Sequence, residues 1–399
     1  MFIKNVYVII LSIVLFSLAN FAQTRGQLKI STSLYIDDLS QPWDLAFSTD
    51  GFAFITEKCK GLSVRTPAGK IFKIFGNSSS YAEKASDLEC EGQSGMLGVA
   101  VDPDFLKNKY VYVYMLSNLT QKPRTNRVVR LKLSSDNSKV LERKDIVTDI
   151  AYKDSFNSWG RAGAHSGGRL RFGPDGFLYI TTGDNHNGKL PQDLKLLGGK
   201  ILRVDRNGLA VPQNNNLKNA DPRIFTYGHR NVQGIAFRAK SSQVFASEHG
   251  PGHTDEVNII INSKNYGWDP KPDVGVSCAS DYCGYTSNKK DKSLTPMTDL
   301  KKFPDAVIPI WNNDGKSQGT GPLTFIDGPQ WKTFDGVLLV GVMGGQRLVV
   351  LRLDDKGQVS SAQDADVIED RYRSLVQGPD GFLYIVTDSG TIFKANLKP

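Results

Sequence analysis

Gly173-Pro174-Asp175-Gly176-Phe177-Leu178-Tyr179-Ile180 recurs unchanged as Gly378-Pro379-Asp380-Gly381-Phe382-Leu383-Tyr384-Ile385. Proline fixes φ at a turn corner and glycine accepts positive φ, so Pro-Asp-Gly joins two antiparallel strands. The aromatic and β-branched residues that follow suit the second strand. In both copies threonine and an acidic residue come next: Thr181, Thr182 and Asp184, then Thr387 and Asp388.

Weaker copies extend the pattern. Ser48-Thr49-Asp50-Gly51 leads into Phe52-Ala53-Phe54-Ile55-Thr56, and Val101-Asp102-Pro103-Asp104-Phe105 leads into Tyr110-Val111-Tyr112-Val113-Tyr114. Gly234-Ile235-Ala236-Phe237 leads to Val244-Phe245-Ala246, and Leu323-Thr324-Phe325 to Gly336-Val337-Leu338-Leu339-Val340. Six hairpins spread along one chain predict radial repetition, an all-β six-bladed β-propeller with four-stranded antiparallel blades. A large β-sandwich is the competing reading, and the eight-residue identity argues against coincidence. No helical periodicity is sustained, and no G-x-G-x-x-G, G-x-x-x-x-G-K-[ST] or H-E-x-x-H occurs, which excludes those nucleotide-binding and zincin motifs.

Composition agrees with a turn-rich globular protein: 399 residues, 38 of them glycine and 18 proline, with 40% hydrophobic and 23% charged residues. The formal charge of +8 comes from scattered lysines and arginines, with no basic stripe interleaved with aromatics, so nucleic acid is not an expected partner. Lys4 followed by the apolar run Val6 to Leu18 has the form of an export signal, with Ala19 and Ala22 as candidate cleavage positions. The expected organisation is a signal peptide over residues 1–22 and one propeller domain over 23–399. The product is expected to be periplasmic or secreted, without stable membrane insertion after cleavage. An uncleaved anchor is the alternative, and the run is short for a membrane span. Export favours disulfides among Cys59, Cys90, Cys278 and Cys283, read as a local Cys278–Cys283 staple and a Cys59–Cys90 bridge.

The chemistry falls between the hairpins. All five histidines, His165, His186, His229, His249 and His253, lie in polar, glycine-rich loops of the middle third. Ala164-His165-Ser166-Gly167-Gly168-Arg169 and Gly228-His229-Arg230-Asn231-Val232-Gln233-Gly234 each precede a repeat strand; Ser247-Glu248-His249-Gly250-Pro251-Gly252-His253-Thr254-Asp255-Glu256 follows one. In a propeller such connections share one face around the central channel.

These loops resemble those of the soluble quinoprotein glucose/sorbosone, or aldose sugar, dehydrogenases. The resemblance runs from about Gln41-Pro42-Trp43 to Asp388. It is carried by Glu91-Gly92-Gln93-Ser94-Gly95-Met96-Leu97-Gly98, the His165 loop, Gly198-Gly199-Lys200-Ile201-Leu202-Arg203, Gly228-His229-Arg230-Asn231, Glu248-His249-Gly250-Pro251, Asn265-Tyr266-Gly267-Trp268 and Arg371-Tyr372-Arg373. It implies an exported oxidoreductase that oxidises the C1 hydroxyl of aldose sugars to the lactone, with pyrroloquinoline quinone (PQQ) and calcium as cofactors. It implies His165 as general base, a role suited to a neutral imidazole, and Gln93, Arg230, Asn231, Arg371 and Arg373 as PQQ contacts. The i, i+2 spacing of Arg371 and Arg373 puts both on one face of an extended segment, where guanidiniums suit the carboxylates of a tricarboxylate. His229 is expected to orient its loop rather than react. The Gly250 and Pro251 carbonyls match an active-site calcium position; Glu256 and the Tyr266 carbonyl match a second calcium, with Asp255 as an alternative ligand.

One departure stands out. The family carries a quinone-contacting lysine in the stretch here reading Val340-Gly341-Val342-Met343-Gly344-Gly345-Gln346-Arg347, and an ungapped alignment puts Gly344 in its place. Arg347 is the candidate replacement, and restoring the lysine at Gly344 is expected to tighten PQQ binding unless the glycine pair needs positive φ. The second reading is therefore a propeller that has lost PQQ and binds sugar or protein without catalysis. The expected partners are an aldose and an unidentified electron acceptor, with the chain a monomer or homodimer.

Overall fold

The computed structural model describes residues 26–121, 123–154, 161–214, 217–271, 282–284 and 295–399. The export segment and Cys278 lie outside the described residues, and so does the Cys278–Cys283 staple.

Six antiparallel sheets succeed one another along the chain. The first contains β2 (Pro42–Phe47), β3 (Ala53–Glu57), β4 (Gly61–Arg65) and β5 (Ile71–Gly76), with the two-residue β6 (Glu83–Lys84) added parallel at its edge. The second contains β7 (Met96–Val101), β8 (Tyr110–Ser117), β9 (Thr125–Leu133) and β10 (Val140–Ile150). The third contains β11 (Leu170–Phe172), β12 (Leu178–Thr181), β13 (Lys200–Val204) and β14 (Ile224–Tyr227). The fourth contains β15 (Val232–Phe237), β16 (Val244–Glu248), β17 (Glu256–Ile260) and β18 (Trp311–Asn312). The fifth contains β19 (Thr320–Ile326), β20 (Val337–Val342), β21 (Arg347–Leu353) and β22 (Val359–Asp364). The sixth joins β23 (Tyr372–Gln377), β24 (Leu383–Thr387) and β25 (Ile392–Leu397) to β1 (Ile30–Ile36) from the other end of the chain. Ile30 pairs with Leu397 and Leu34 with Phe393, so main-chain hydrogen bonds close the ring. This is the six-bladed propeller read from the sequence, and all six sequence hairpins are the first two strands of a blade.

The octapeptide is repeated because its side chains build the turn. Gly176 and Gly381 take φ of 77° and 80°, which a side chain would resist. Asp175 accepts the Phe177 amide at 3.2 Å and the Tyr179 hydroxyl at 2.9 Å. Asp380 does the same for Phe382 at 3.3 Å and Tyr384 at 2.8 Å. The turn thus locks onto the second strand of its own hairpin.

The first strands β2, β7, β11, β15, β19 and β23 neighbour one another in sequence order around the ring. Apolar faces pack between blades: Tyr112, Leu170 and Leu202 lie in one fully buried cluster, and Trp331, Leu339 and Ile385 in another. Burial of each such side chain contributes about 1.5–3 kcal/mol. The ring interior is also crossed by polar contacts. Asp44 accepts Arg169 at 2.6 Å, Arg171 at 2.8 Å and the Ser374 hydroxyl at 2.7 Å. Burial raises its carboxyl, but the two arginines win and hold it down at about 2. Arg169 also donates to the Gln233 carbonyl at 3.1 Å and the Arg373 carbonyl at 2.8 Å. Four blades therefore fix the backbone carrying Arg373.

Candidate active site

In each hairpin the first strand starts, and the second strand ends, on the same side of the ring. Gln93 precedes β7, His165 precedes β11, Arg230 precedes β15 and Arg371 precedes β23, while Asp184 follows β12, His249 follows β16 and Asp388 follows β24. These loops meet around a cavity of about 420 Å³ lined by Trp43, Lys58, Gln93, His249, Arg371 and Arg373, with Ser166, Gly167, Met343 and Asp388 among the remaining wall residues. His165, Arg230 and Asn231 are not in the lining; they lie buried behind it.

His165 is fixed from three sides. Its amide donates to Gln93 Oε1 at 3.1 Å, its Nδ1 lies 2.6 Å from Asp184 Oδ1, and its Nε2 lies 3.1 Å from His186 Nε2. Asp184 also accepts Trp268 Nε1 at 2.7 Å, Tyr282 Oη at 3.1 Å and the His186 amide at 3.0 Å. Burial pushes the Asp184 carboxyl up, while Arg230 and these donors favour its charged form. A carboxylate surrounded by donors makes Nδ1 the protonated nitrogen of His165 and leaves Nε2 the lone pair. Burial first, then Arg230, His249 and Lys153, holds the His165 imidazole well below the ordinary histidine range. It is a neutral base, not an imidazolium. Burial and His165 together push His186 down to about 2; with the lone pair on His165 Nε2, the proton of the neutral His186 ring lies on its Nε2 and donates to it.

Arg230 is buried, donates to the His249 carbonyl at 2.8 Å and lies 5.6 Å from the Trp268 ring centre. Asn231 Oδ1 accepts the Gly167 amide and Gln233 Nε2, each at 3.1 Å. Both residues thus brace the loops bearing His165 and His249. His229 sits between Glu248 and Thr226, at 2.9 Å from each, and stacks on Tyr266. His249 lines the cavity, and its buried Nε2 has no hydrogen-bond partner among the described residues. Burial holds that imidazole down at about 4.

Arg371 Nε donates to Asp388 Oδ2 at 3.0 Å; Arg373 grips the same carboxylate through Nε at 2.7 Å and Nη2 at 2.8 Å. The predicted common face exists, with one carboxylate shared by both cations. Three cationic side chains and an amide in this lining form a donor set suited to a planar polycarboxylate.

For a hard cation, Glu256 is the suitable side chain. It is buried opposite Glu248 across β16 and β17, and burial together with Glu248 pushes its carboxyl up to about 8. Among the described residues Asn258 at 3.4 Å and Thr298 at 3.1 Å donate to it, which leaves acceptor capacity for a metal. Asp255 is spent elsewhere: it accepts Gly250 N at 2.9 Å, Gln318 N at 2.9 Å, Thr320 N at 3.0 Å, and the hydroxyls of Ser317 and Thr320. That makes Asp255 a loop anchor and removes it as the alternative ligand. The Gly250 carbonyl accepts the Gly252 amide at 2.9 Å across a tight turn. Pro251 follows directly, and buried Tyr266 binds the Ile259 carbonyl through its hydroxyl. Among the described residues no three His, Cys, Asp or Glu side chains are grouped to hold a metal, so calcium here would depend on carbonyl oxygens.

Two expectations need correction. Gly344 has no positive φ, but a Cβ there would lie 2.6 Å from the Gln318 carbonyl oxygen, so the position excludes a lysine by space. Arg347 does not take its place: it binds Gln318 at 3.0 Å and Asp364 at 2.8 Å and is absent from the cavity lining. The disulfide expectation for Cys59 and Cys90 holds, with a Cα–Cα distance of 5.1 Å.

Sequence reasoning did not assign Asp184, Lys58 or Asp388 to the site. The available signal was the acidic residue that closes four of the six repeats. Glu57, Asp184, Glu248 and Asp388 end or follow the second strand of their blades, and each holds a loop of this face through Ser40, His165, His229 or Arg373.

Fold and cavity together define a propeller with a cationic mouth above a buried carboxylate–imidazole pair. The chain belongs to the glucose/sorbosone dehydrogenase family, whose model matches residues 39–394. It is 28% identical to the aldose sugar dehydrogenase YliI of Escherichia coli, over 92% of this chain and 93% of that one. It is 26% identical to quinoprotein glucose dehydrogenase B of Acinetobacter calcoaceticus, over 93% and 88% of the two chains. The PQQ-bound aldose sugar dehydrogenase of Streptomyces coelicolor superposes with a TM-score of 0.69 at 23% identity, over 93% of this chain and 99% of that one, a likeness of fold. The protein is a sugar dehydrogenase by family.

Proposed function

We propose that this chain is a PQQ- and calcium-dependent dehydrogenase that oxidises the C1 hydroxyl of an aldose to the lactone. The observation that carries the reading is the Asp184–His165 pair, neutral at the imidazole and set directly behind a cavity wall rich in cations. The quinoprotein named above and the PQQ-bound relative support the cofactor. Arg371, Arg373 and Gln93 would hold the carboxylates and ring of PQQ. The Gly250 and Pro251 carbonyls would hold calcium beside it, with Glu256 and the Tyr266 carbonyl at a second calcium. When bound, PQQ supplies the two-electron acceptor for the hydride leaving C1.

The remaining work falls to the chain itself. Asp184 keeps the proton on His165 Nδ1, so Nε2 presents its lone pair. A sugar hydroxyl reaching Nε2 takes the place of the His186 N–H and gives up its proton there. The developing imidazolium is stabilised by the Asp184 carboxylate 2.6 Å away. Trp268 and Tyr282 hold that carboxylate in position. A base so placed contributes about 10²–10⁴-fold.

The test is reconstitution. Purified protein is loaded with PQQ and calcium, and aldose-dependent bleaching of the quinone band and dye reduction are followed. Bound PQQ that no aldose reduces refutes the dehydrogenase reading. Failure to bind PQQ in excess calcium gives preference to the binding module.

A further inference from the structure

Lys58 is a cavity cation held by a main-chain carbonyl rather than by a carboxylate among the described residues. Arg371 and Arg373 share the single Asp388 carboxylate, which offsets one of their two charges. Lys58 Nζ donates to the Gly92 carbonyl at 2.8 Å, and among the described residues no carboxylate lies within ion-pair distance of it. Its position is rigid. The Lys58 amide donates to the Gln41 carbonyl at 3.0 Å and its carbonyl accepts the Met96 amide at 2.8 Å. The adjacent Cys59 is bonded to Cys90, in the segment leading to Gln93. Its stem leaves no room for a side chain at Gly95, where a Cβ would meet Lys58 Cγ at 2.7 Å.

We infer that Lys58 retains the carboxylate of an anionic ligand in this cavity, supplying from the first blade the charge that Gly344 has no space to supply from the fifth. The inference rests on the proposed function for the identity of that ligand, PQQ, but not for its charge. Burial and the nearby Arg373 lower the Lys58 ammonium from its ordinary value, while Asp388 works in the opposite sense. A second negative group entering the cavity would oppose both effects through its charge. Lys58 lies beside Gln93 and Arg373 in the lining, so one ligand can touch all three. It acts as a positioning residue for the bound anion.

The test uses the full chain in calcium-containing buffer, as wild type, Lys58→Met and Lys58→Arg. Each is titrated with PQQ, followed by the fluorescence of the cavity residue Trp43 and the other tryptophans, and with benzene-1,3,5-tricarboxylate, followed by calorimetry. Lys58→Met is expected to weaken both anions by about tenfold or more, the loss of one charge-assisted contact, and to flatten the salt dependence of binding. Lys58→Arg is expected to restore PQQ affinity to within about threefold, since a guanidinium keeps the charge. Unchanged affinity for both anions in Lys58→Met, or no recovery in a folded Lys58→Arg, overturns the inference. Wild type that binds the tricarboxylate but not PQQ, with binding lost in Lys58→Met, sustains the role of Lys58 and removes the quinone reading. Wild type that binds neither anion removes both.

Discussion

Asp184→Asn isolates the contribution of one negative charge to the proposed base. Asp184 accepts four donors, two on each oxygen: His165 Nδ1 and the His186 amide on Oδ1, Trp268 Nε1 and Tyr282 Oη on Oδ2. An asparagine has one acceptor oxygen. If its NH₂ faces the Oδ1 side, it opposes the His186 N–H and forces His165 Nδ1 to accept. The imidazole proton then moves to Nε2, and the lone pair needed for the sugar hydroxyl is gone. If its NH₂ faces the Oδ2 side, it opposes the donor-only Trp268 N–H. Either way one buried donor loses its partner, at a cost of about 1–3 kcal/mol of stability. Either way the carboxylate opposite the imidazolium is lost, which corresponds to about 10²–10⁴-fold in kcat. The assay is dye-linked aldose oxidation by PQQ-loaded protein, with PQQ affinity and Tm measured on the same samples. The expected result is a large fall in kcat, a melting temperature lower by a few degrees, and PQQ affinity unchanged within about threefold. A variant that turns over within about threefold of wild type would refute the assignment of Asp184 and His165.

Three further outcomes follow from particular contacts. Gly344→Ala places a Cβ 2.6 Å from the Gln318 carbonyl oxygen and is expected to destabilise by about 1–3 kcal/mol without tightening PQQ; a melting temperature equal to wild type contradicts the steric argument. Cys59→Ser with Cys90→Ser opens a bridge of sequence separation 31, costs about 3–4 kcal/mol, and weakens PQQ by loosening Gln93; denaturant unfolding and the PQQ titration check both parts. In the pH profile, His165 and His186 are both held below the histidine range by burial. The acid limb of kcat/KM is therefore expected below the ordinary value of about 6.5. The sign for stability is the same: below about pH 6.5 the unfolded chain binds protons that these two folded imidazoles refuse, so stability falls as pH falls. An acid limb at or above that value, with PQQ still bound, would show that His165 is not the titrating base.

The ring was legible because its signal is local. Pro-Asp-Gly, a positive-φ glycine and the Asp–Tyr contact recur within each strong hairpin, so a repeat search finds them without tertiary information. The loops carrying His165, Arg230 and Arg371 were legible because each directly precedes a first strand, and antiparallel order sends all of them to one face. What failed was anything decided by packing. Asp255 has the sequence profile of a calcium ligand, yet five donors from two segments occupy it. Gly344 looked like a lost side chain, yet the Gln318 carbonyl fills the space that side chain would need.

Lys58 and Gly344 show why sequence alignment alone misplaces such a residue. They are far apart in the chain and belong to different blades, but the propeller brings the ends of all second strands to the same mouth. Lys58 directly follows β3 and Gly344 lies two residues past β20, neighbouring stations at the ends of second strands on the first and fifth blades. Met343, next to Gly344, lines the same cavity as Lys58. In a radial repeat the same point in the central cavity is reachable from several blades, so a charge lost at one station is replaceable from another. Alignment compares a residue only with its counterpart on the same blade. The cavity instead sums over the ring, and its charge has to be counted there, residue by residue, with each internal pairing such as Arg371 and Arg373 on Asp388 subtracted first.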